Sequence, residues 1–382
     1  MRVEPVVKAD AYGHGAVPIA RALEAAGADG LSVATFDEAL ELRDAGLRLP
    51  VLVLYPVPPE RIAEAAARRI AVTIGGGPLT ARVLAAATAA ASGEAGYRGE
   101  APGAPEPLDV HVEVETGLGR GGVPPAEATA TVELVRRAPG VRLAGAWTHL
   151  AAADDPANAR AQDALFGGAL APLAEAIGWG PGGIRRHLAG SGGVLGGDVA
   201  RWDAVRIGLS IYGLVPDALV PPAATAEAAA SLRPVLALFA RPVRVLELPA
   251  GHGVSYGPSF VTDRPTRIAT LPFGYGDGWR RGLSDRADAL VRGVRVPLVG
   301  RVAMDAVMAD VTDVPGPPVD EDDEFVLIGA QGDQRITAHE LAATIGTISY
   351  EVVTGMSRRV PRVYHAAGSP VEIRVLAGGR TE

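Results

Sequence analysis

The sequence predicts an α/β protein: an N-terminal (β/α)8 TIM-like barrel followed by a mainly β C-terminal domain. Two observations support this prediction. Up to about residue 208, apolar β-branched runs alternate with stretches whose apolar residues recur at helical spacing. After about residue 230 the pattern changes to short strand-like runs at close spacing. We therefore assign residues 1–229 to the barrel and residues 230–382 to the β-rich domain.

The barrel strands and helices follow from the two periodicities. Strands are expected near 5–8, 31–34, 50–55, 70–74, 109–114, 142–148, 184–189 and 204–208. Helices are expected over 17–26, 36–45, 59–67, 79–91, 125–137 and 157–177. Eight parallel strands with crossover helices suit a closed barrel, whose active sites collect at the carboxyl ends of the strands.

Two stretches depart from this alternation. Residues 92–108 are rich in Gly and Pro and are predicted to form a loop insertion. Residues 212–230 follow the eighth strand and are predicted to be a linker, so one outer helix of the barrel is missing. We expect a complete version of the chain to carry about one further helix before Met1.

The predicted second domain consists of short strands with little helix. Strand-like runs occur within 234–251, 266–272, 294–300, 306–313 and 324–330. One helix is expected near 338–345.

Composition narrows the functional class. The net charge of −8 argues against nucleic acid, which is bound through Lys and Arg. The absence of cysteine removes disulfides, thiolate metal sites and Cys nucleophiles together, and no metal site is predicted. No apolar run of about 18 residues and no signal peptide is evident, so we expect a cytoplasmic enzyme without membrane contact.

Polar residues cluster just after the predicted strands. Glycine-flanked polar residues usually close turns, and a single histidine such as His149 is equally well a hydrogen-bonded core residue. Their joint occurrence at strand ends favours an active site. Lys8 is the sole lysine of the chain, and arginine cannot lose its proton to act as an amine nucleophile. Any cofactor bound covalently through an amine must therefore be on Lys8.

Motifs spread over the whole chain resemble the alanine racemase family, whose members use pyridoxal 5'-phosphate. In order they are VVKADAYGHG, VRIGLSIYGL, VSYGPSF, GYGDGW, GRVAMD and ISYEVVTGMSRRVPRVY. The resemblance implies the barrel and β domain predicted above. It also implies a homodimer with shared active sites.

The resemblance implies a set of cofactor ligands. Lys8 matches the residue that carries the cofactor, and Arg206 matches the arginine that faces the pyridine nitrogen. A permanent cation there disfavours protonation of the ring, which makes the cofactor a weaker electron sink. His149 matches the residue that hydrogen-bonds this arginine. The implied phosphate ligands are Tyr12, Ser191, the backbone of Gly208, and Tyr350.

The resemblance also implies two bases, since racemisation needs a proton donor and acceptor on each face of Cα. Lys8 serves one face, and Tyr256 matches the base that deprotonates L-alanine. Arg120 and the backbone amide of Met304 match groups that bind the substrate carboxylate. Tyr256 and Met304 are expected to come from the other subunit. Two further motif residues are expected to support the site, Tyr275 and Asp305.

Three positions differ from the family pattern. Glu113 stands where the family often has a carbamylated lysine, and we predict that its carboxylate pairs with Arg120 instead. Ala303 replaces the usual cysteine. Gly190 replaces the expected asparagine, so one hydrogen bond near the cofactor is expected to be missing.

The leading hypothesis is a bacterial alanine racemase that supplies D-alanine for peptidoglycan. The alternatives are a related racemase of another amino acid such as serine, a decarboxylase of this fold, or a non-catalytic cofactor-binding barrel protein. The decarboxylases use a cysteine that this chain lacks. The barrel proteins have no second domain. Pocket size, which decides between alanine and serine, is not given by a sequence.

Overall fold

A computed structural model describes residues 1–94, 106–180 and 182–376, and the chain divides into two compact units. One unit contains Met1–Ala11 and Ala16–Arg233, and the other contains Tyr12–Gly15 with the chain from Pro234 onward. Most of the predicted 92–108 insertion lies outside the described residues.

The first unit is the predicted eight-stranded parallel barrel. Its strands are β1 (Arg2–Val3), β2 (Leu31–Val33), β3 (Val51–Val53), β4 (Ile70–Ile74), β5 (Leu108–Glu113), β6 (Val141–Trp147), β7 (Arg185–His187) and β8 (Ala204–Val205). They are hydrogen-bonded in the order β1-β8-β7-β6-β5-β4-β3-β2. A parallel bridge from Val6 to Ser32 joins the first segment to β2 and closes the ring. The strand ends therefore converge on one rim.

The helices of this unit follow the strands as predicted. They span Ala16–Ala25, Phe36–Asp44, Ile62–Ala67, Gly77–Ala91, Pro125–Arg137, Pro156–Leu170, Ser191–Gly196 and Ala223–Ala230. The Phe36–Asp44 helix begins with a capping box, in which Thr35 and Glu38 each accept from the other's backbone N–H.

The prediction that 212–230 is only a linker is wrong, because Ala223–Ala230 is a helix. Its alanine-rich sequence has high helix propensity but little contrast between its faces, so the apolar periodicity was weak. Ala229 packs in a small core with Leu195 and Leu219, and this packing gives the segment a place on the barrel.

The second unit is mainly β, as predicted. Its strands are β9 (Leu238–Ala240), β10 (Arg244–Leu248), β11 (Gly253–Val254), β12 (Phe260–Val261), β13 (Thr266–Leu271), β14 (Asp288–Val291), β15 (Val294–Val299), β16 (Val307–Asp310), β17 (Phe325–Gln331), β18 (Gln334–Ile336), β19 (Arg362–Ala366) and β20 (Ser369–Arg374). The main sheet runs β10-β13-β16-β15-β14-β17-β18, with β9 beside β17. The helices are Ala338–Ile345, which was expected, and Ser349–Thr354.

None of the helices described is long and apolar enough to cross a membrane.

Candidate active site

Lys8 lies at the carboxyl end of the first barrel segment and lines a pocket at the rim. The pocket walls come from the ends of β3, β4 and β5 and include Tyr55, Thr73, Glu113 and Arg120. Burial lowers the pKa of the Lys8 amine, and the positive charges of Arg120 and Arg206 lower it further. The amine is therefore more easily deprotonated than that of a surface lysine, which makes it a better nucleophile and base.

The backbone after Lys8 is a left-handed turn, where the sequence predicted an ordinary loop. Ala9, Asp10, Ala11 and Tyr12 all have φ of 53–54°. A left-handed conformation costs roughly 1–2 kcal/mol per non-glycine residue. The surrounding structure must therefore hold the turn in place.

Two carboxylates hold this turn within the barrel unit. The Ala9 N–H donates to Oε1 of Glu38 at 2.7 Å, and the Ala16 N–H donates to Oδ1 of Asp10 at 2.9 Å. The other oxygen of Glu38 accepts from the N–H groups of Ala34 and Thr35. Glu38 thus ties the lysine turn to the loop after β2. Sequence reasoning missed this role, because the only signal was a capping-box glutamate.

Glu113 and Arg120 face each other across the pocket. Oε1 of Glu113 lies 4.0 Å from Nη2 of Arg120, and the Arg120 guanidinium also lies over the Tyr55 ring at 5.6 Å. Burial raises the pKa of Glu113 to about 6, although the positive charges of Arg120 and Arg206 act to lower it. A Cβ at Gly121 would lie 3.1 Å from Oε2 of Glu113, so glycine there leaves room for the carboxylate.

Arg206 follows β8 and is 4% exposed. Its Nη1 lies 2.6 Å from Nδ1 of His187 and donates to the His187 carbonyl at 3.0 Å, while Nη2 donates to the Thr148 carbonyl at 2.7 Å. The guanidinium also lies 4.7 Å from the centre of the Trp147 ring. These contacts hold a permanent cation in one orientation inside the barrel.

The histidine that hydrogen-bonds Arg206 is His187, and the expectation that it is His149 is wrong. His149 is half-buried, and burial together with the positive charge of Arg206 lowers its pKa to about 3. His149 follows β6, whereas His187 ends β7, the strand hydrogen-bonded to β8. His149 is therefore a neutral ring near the arginine, without the predicted bond.

Ser191 and Gly208 come together after β7 and β8, as the sequence predicted for neighbouring strand ends. The Ser191 hydroxyl accepts from the N–H groups of Gly208 and Ser210, each at 3.1 Å. Ser191 is 5% exposed. Several donors therefore converge on one point, which is what a phosphate group needs.

Tyr12 and Tyr350 are neighbours within the second unit. Their ring centres are 6.1 Å apart. Tyr12 is 7% exposed, and burial together with Tyr350 raises the pKa of its hydroxyl. Tyr12 is therefore a neutral hydrogen-bond donor at physiological pH.

The loop that carries Tyr275 packs against the loop that carries Met304. The Tyr275 N–H donates to the Ala303 carbonyl at 3.0 Å, and the Gly276 N–H donates to the Met304 carbonyl at 2.8 Å. A Cβ at Gly274 would lie 2.3 Å from the Ala303 carbonyl oxygen, so only glycine allows this approach. The two loops therefore form one structural element.

Tyr256 lies on a third loop of the same unit. Ser255 has a φ of 64°, and its hydroxyl donates to the Arg301 carbonyl at 2.6 Å, which connects this loop to the one bearing Met304. Tyr256, Tyr275 and Met304 are 74%, 44% and 52% exposed. Large apolar side chains are seldom so exposed unless they meet a partner or a ligand.

Arg359 joins two of these loops through carboxylates. Its Nε lies 2.7 Å from Asp277, which is 5% exposed, and its Nη2 donates to Asp305 at 2.5 Å. Asp305 was predicted as a supporting residue, but the arginine that holds it was not.

The chain was compared with known proteins. Residues 1–216 match the family profile described as alanine racemase, N-terminal domain, and residues 235–364 match that of the C-terminal domain. The chain is 42% identical over 368 residues to an alanine racemase of Symbiobacterium thermophilum, covering 95% of this chain and 90% of that protein.

Solved structures show the same similarity. An alanine racemase of Bacillus anthracis with bound L-Ala-P is 34% identical, with a TM-score of 0.81 over 98% of this chain and 90% of that one. An alanine racemase of Clostridium difficile is 30% identical, with a TM-score of 0.85 over 98% and 92% of the two chains.

Proposed function

Since the chain belongs to the alanine racemase family, we propose that it interconverts L-alanine and D-alanine with pyridoxal 5'-phosphate held on Lys8. One observation supports this most directly. The sole lysine lies at a barrel strand end with a lowered pKa, in a pocket that also presents the guanidinium of Arg120. This combination suits covalent binding of an aldehyde beside a carboxylate-bearing substrate.

The residues present fit this cofactor. Lys8 supplies the amine. The Ser191 hydroxyl and the N–H groups of Gly208 and Ser210, which meet within 3.1 Å of one another, would bind the phosphate with help from tyrosine hydroxyls. Arg206 would face the pyridine nitrogen. When bound, the cofactor would act as an electron sink that acidifies the substrate α-proton.

The protein's own part is to move a proton on each side of the substrate. Nζ of Lys8 would hold the proton on one face of Cα, and the hydroxyl of Tyr256 would hold it on the other. Arg120 and the backbone N–H of Met304 would bind the carboxylate, which orients Cα between the two bases. Glu113 would balance the charge of Arg120 without a modified lysine.

We propose that the active enzyme is a homodimer with shared sites. The exposure of Tyr256, Tyr275 and Met304 supports this arrangement, because residues proposed to touch substrate are open to solvent in the single chain. A second copy that covers this surface would exclude water from the reaction.

The proposed role in the cell is to supply D-alanine for peptidoglycan from the cytoplasm. Free alanine is a cytoplasmic metabolite in bacteria, and the proposed reaction needs no second substrate.

Proton exchange in deuterated water tests the reaction. Purified protein with the cofactor should remove the Cα proton signal of L-alanine in NMR and produce D-alanine on a chiral column. Tyr256→Phe should stop exchange from L-alanine and leave exchange from D-alanine, where Lys8 is the base. No exchange with alanine, with the cofactor bound, would overturn the proposal, and exchange with serine alone would replace the substrate.

A further inference from the structure

A row of buried polar side chains extends from Arg206 through the interior of the barrel. Nη1 of Arg206 lies 2.6 Å from Nδ1 of His187, and Nε2 of His187 lies 2.9 Å from Nδ1 of His111. Beyond it, Nε2 of His111 lies 3.5 Å from Nη2 of Arg185. Both histidines have 0% exposure, so water does not compete for their hydrogen bonds.

The distances determine which ring nitrogens carry protons. An arginine has donors only, so Nδ1 of His187 must accept from Arg206. Burial and the neighbouring arginine charges lower the pKa of His187 and His111 well below the ordinary value, so each ring is neutral with one N–H. His187 therefore carries its proton on Nε2 and donates it to Nδ1 of His111. The proton of His111 is then on Nε2.

The far end of the row agrees with this order. The Nε2–H of His111 faces a donor of Arg185, and two donors do not bond, which is consistent with 3.5 Å being the longest separation in the row. Glu4, which is 4% exposed, lies 2.9 Å from Nε of Arg185 and holds that guanidinium.

Space for His111 is provided by the neighbouring strand. Gly145 pairs with His111 in the register of β5 and β6, and a Cβ there would lie 2.5 Å from Nδ1 of His111. Glycine at this position thus leaves open the nitrogen that His187 needs.

We propose that His111 is a positioning residue: as the acceptor for Nε2–H of His187, it fixes the tautomer in which His187 accepts from Arg206. Without that acceptor, His187 either leaves a buried N–H unbonded or turns Nδ1–H against the arginine, and both outcomes release Arg206 from its orientation. The proposal depends on the proposed function only in assigning Arg206 to the cofactor ring. The proton order does not depend on it.

The proton order is measured directly by NMR of ¹⁵N-histidine in the holoenzyme. Long-range ¹H–¹⁵N correlations distinguish the two neutral tautomers of each of the seven histidines. We expect His111 and His187 to be Nε2–H tautomers that do not titrate between about pH 5 and 9. His111→Asn removes one of the two signals and assigns it. An Nδ1–H tautomer or a protonated ring at His187 would overturn the proposal.

Two variants separate positioning from packing. Asn carries an acceptor oxygen close to the place of Nδ1, whereas Leu has none. We expect His111→Leu to weaken cofactor binding about tenfold and to mix the tautomers of His187, and His111→Asn to stay within about twofold of the parent.

Equal effects of the two variants on cofactor affinity and on the His187 tautomer would contradict a positioning role. Should His111→Leu fail to fold, the tautomer of His187 in the unmodified protein decides the question. Neither measurement requires turnover of alanine, so failure of the racemase assignment would leave both results interpretable.

Discussion

The carboxylate of Glu113 and the guanidinium of Arg120 stand 4.0 Å apart at the wall of the lysine pocket. The carboxylate is 8% exposed, whereas the Arg120 side chain is 38% exposed. The glutamate is therefore the fixed partner, and the arginine is free to move toward a substrate carboxylate.

Glu113→Gln should weaken turnover and leave cofactor binding intact. The amide keeps the shape of the side chain but removes the negative charge that orients Arg120, so we expect kcat/KM for alanine to fall about tenfold. Steady-state kinetics and a cofactor titration measure the two quantities. Glu60→Gln, which changes a carboxylate with 71% side-chain exposure, is the matched control. Unchanged kinetics in Glu113→Gln would contradict the pairing.

The same residue predicts how stability depends on pH. The pKa of Glu113 is raised from 4.5 to about 6, so the folded state binds this proton more tightly than the unfolded state. The free energy of unfolding should therefore decrease as pH rises from about 4.5 to 6, by an order of 2 kcal/mol from this group alone.

Urea denaturation of Glu113→Gln and the parent at several pH values isolates this contribution. The variant should be more stable than the parent at pH 8, and the difference should shrink toward about pH 4.5. A parent that is the more stable of the two at pH 8 would show that the charged form is favoured by its surroundings.

Glu38→Ala should destabilise the left-handed turn after the lysine. Three backbone N–H groups, those of Ala9, Ala34 and Thr35, lose their acceptor, which should cost about 2–3 kcal/mol. Cofactor affinity should fall as well, because the turn positions the lysine. Thermal melts and a cofactor titration measure both effects. Asp37→Ala on the same helix, with 85% side-chain exposure, should change neither.

Arg359→Met should destabilise the second unit and raise KM. Removal of the arginine leaves the buried carboxylate of Asp277 unpaired, at a cost of about 2 kcal/mol. It also releases Asp305 beside Met304, whose N–H we propose to bind the substrate. Arg264→Met breaks an exposed pair with Asp313 and should have little effect. A loss of stability without any change in KM would confine Arg359 to a structural role.

Local sequence was enough to predict the barrel and most of its helices. The alternation of β-branched runs with helical periodicity is a property of short segments, and each predicted strand occurs within a few residues of its place. The alanine-rich segment 223–230 was missed because its faces differ little in polarity. Its helix became visible only through its packing on Leu195 and Leu219.

The sequence by itself determined where a covalent cofactor can be held, because a chain with one lysine has only Lys8 for that chemistry. Only the tertiary structure decided which side chains control Arg206. His187 ends the strand beside β8 and reaches the arginine, whereas His149 follows a strand one place further away. The lateral order of strands places residues far apart in sequence within hydrogen-bond distance, and sequence spacing does not report that order.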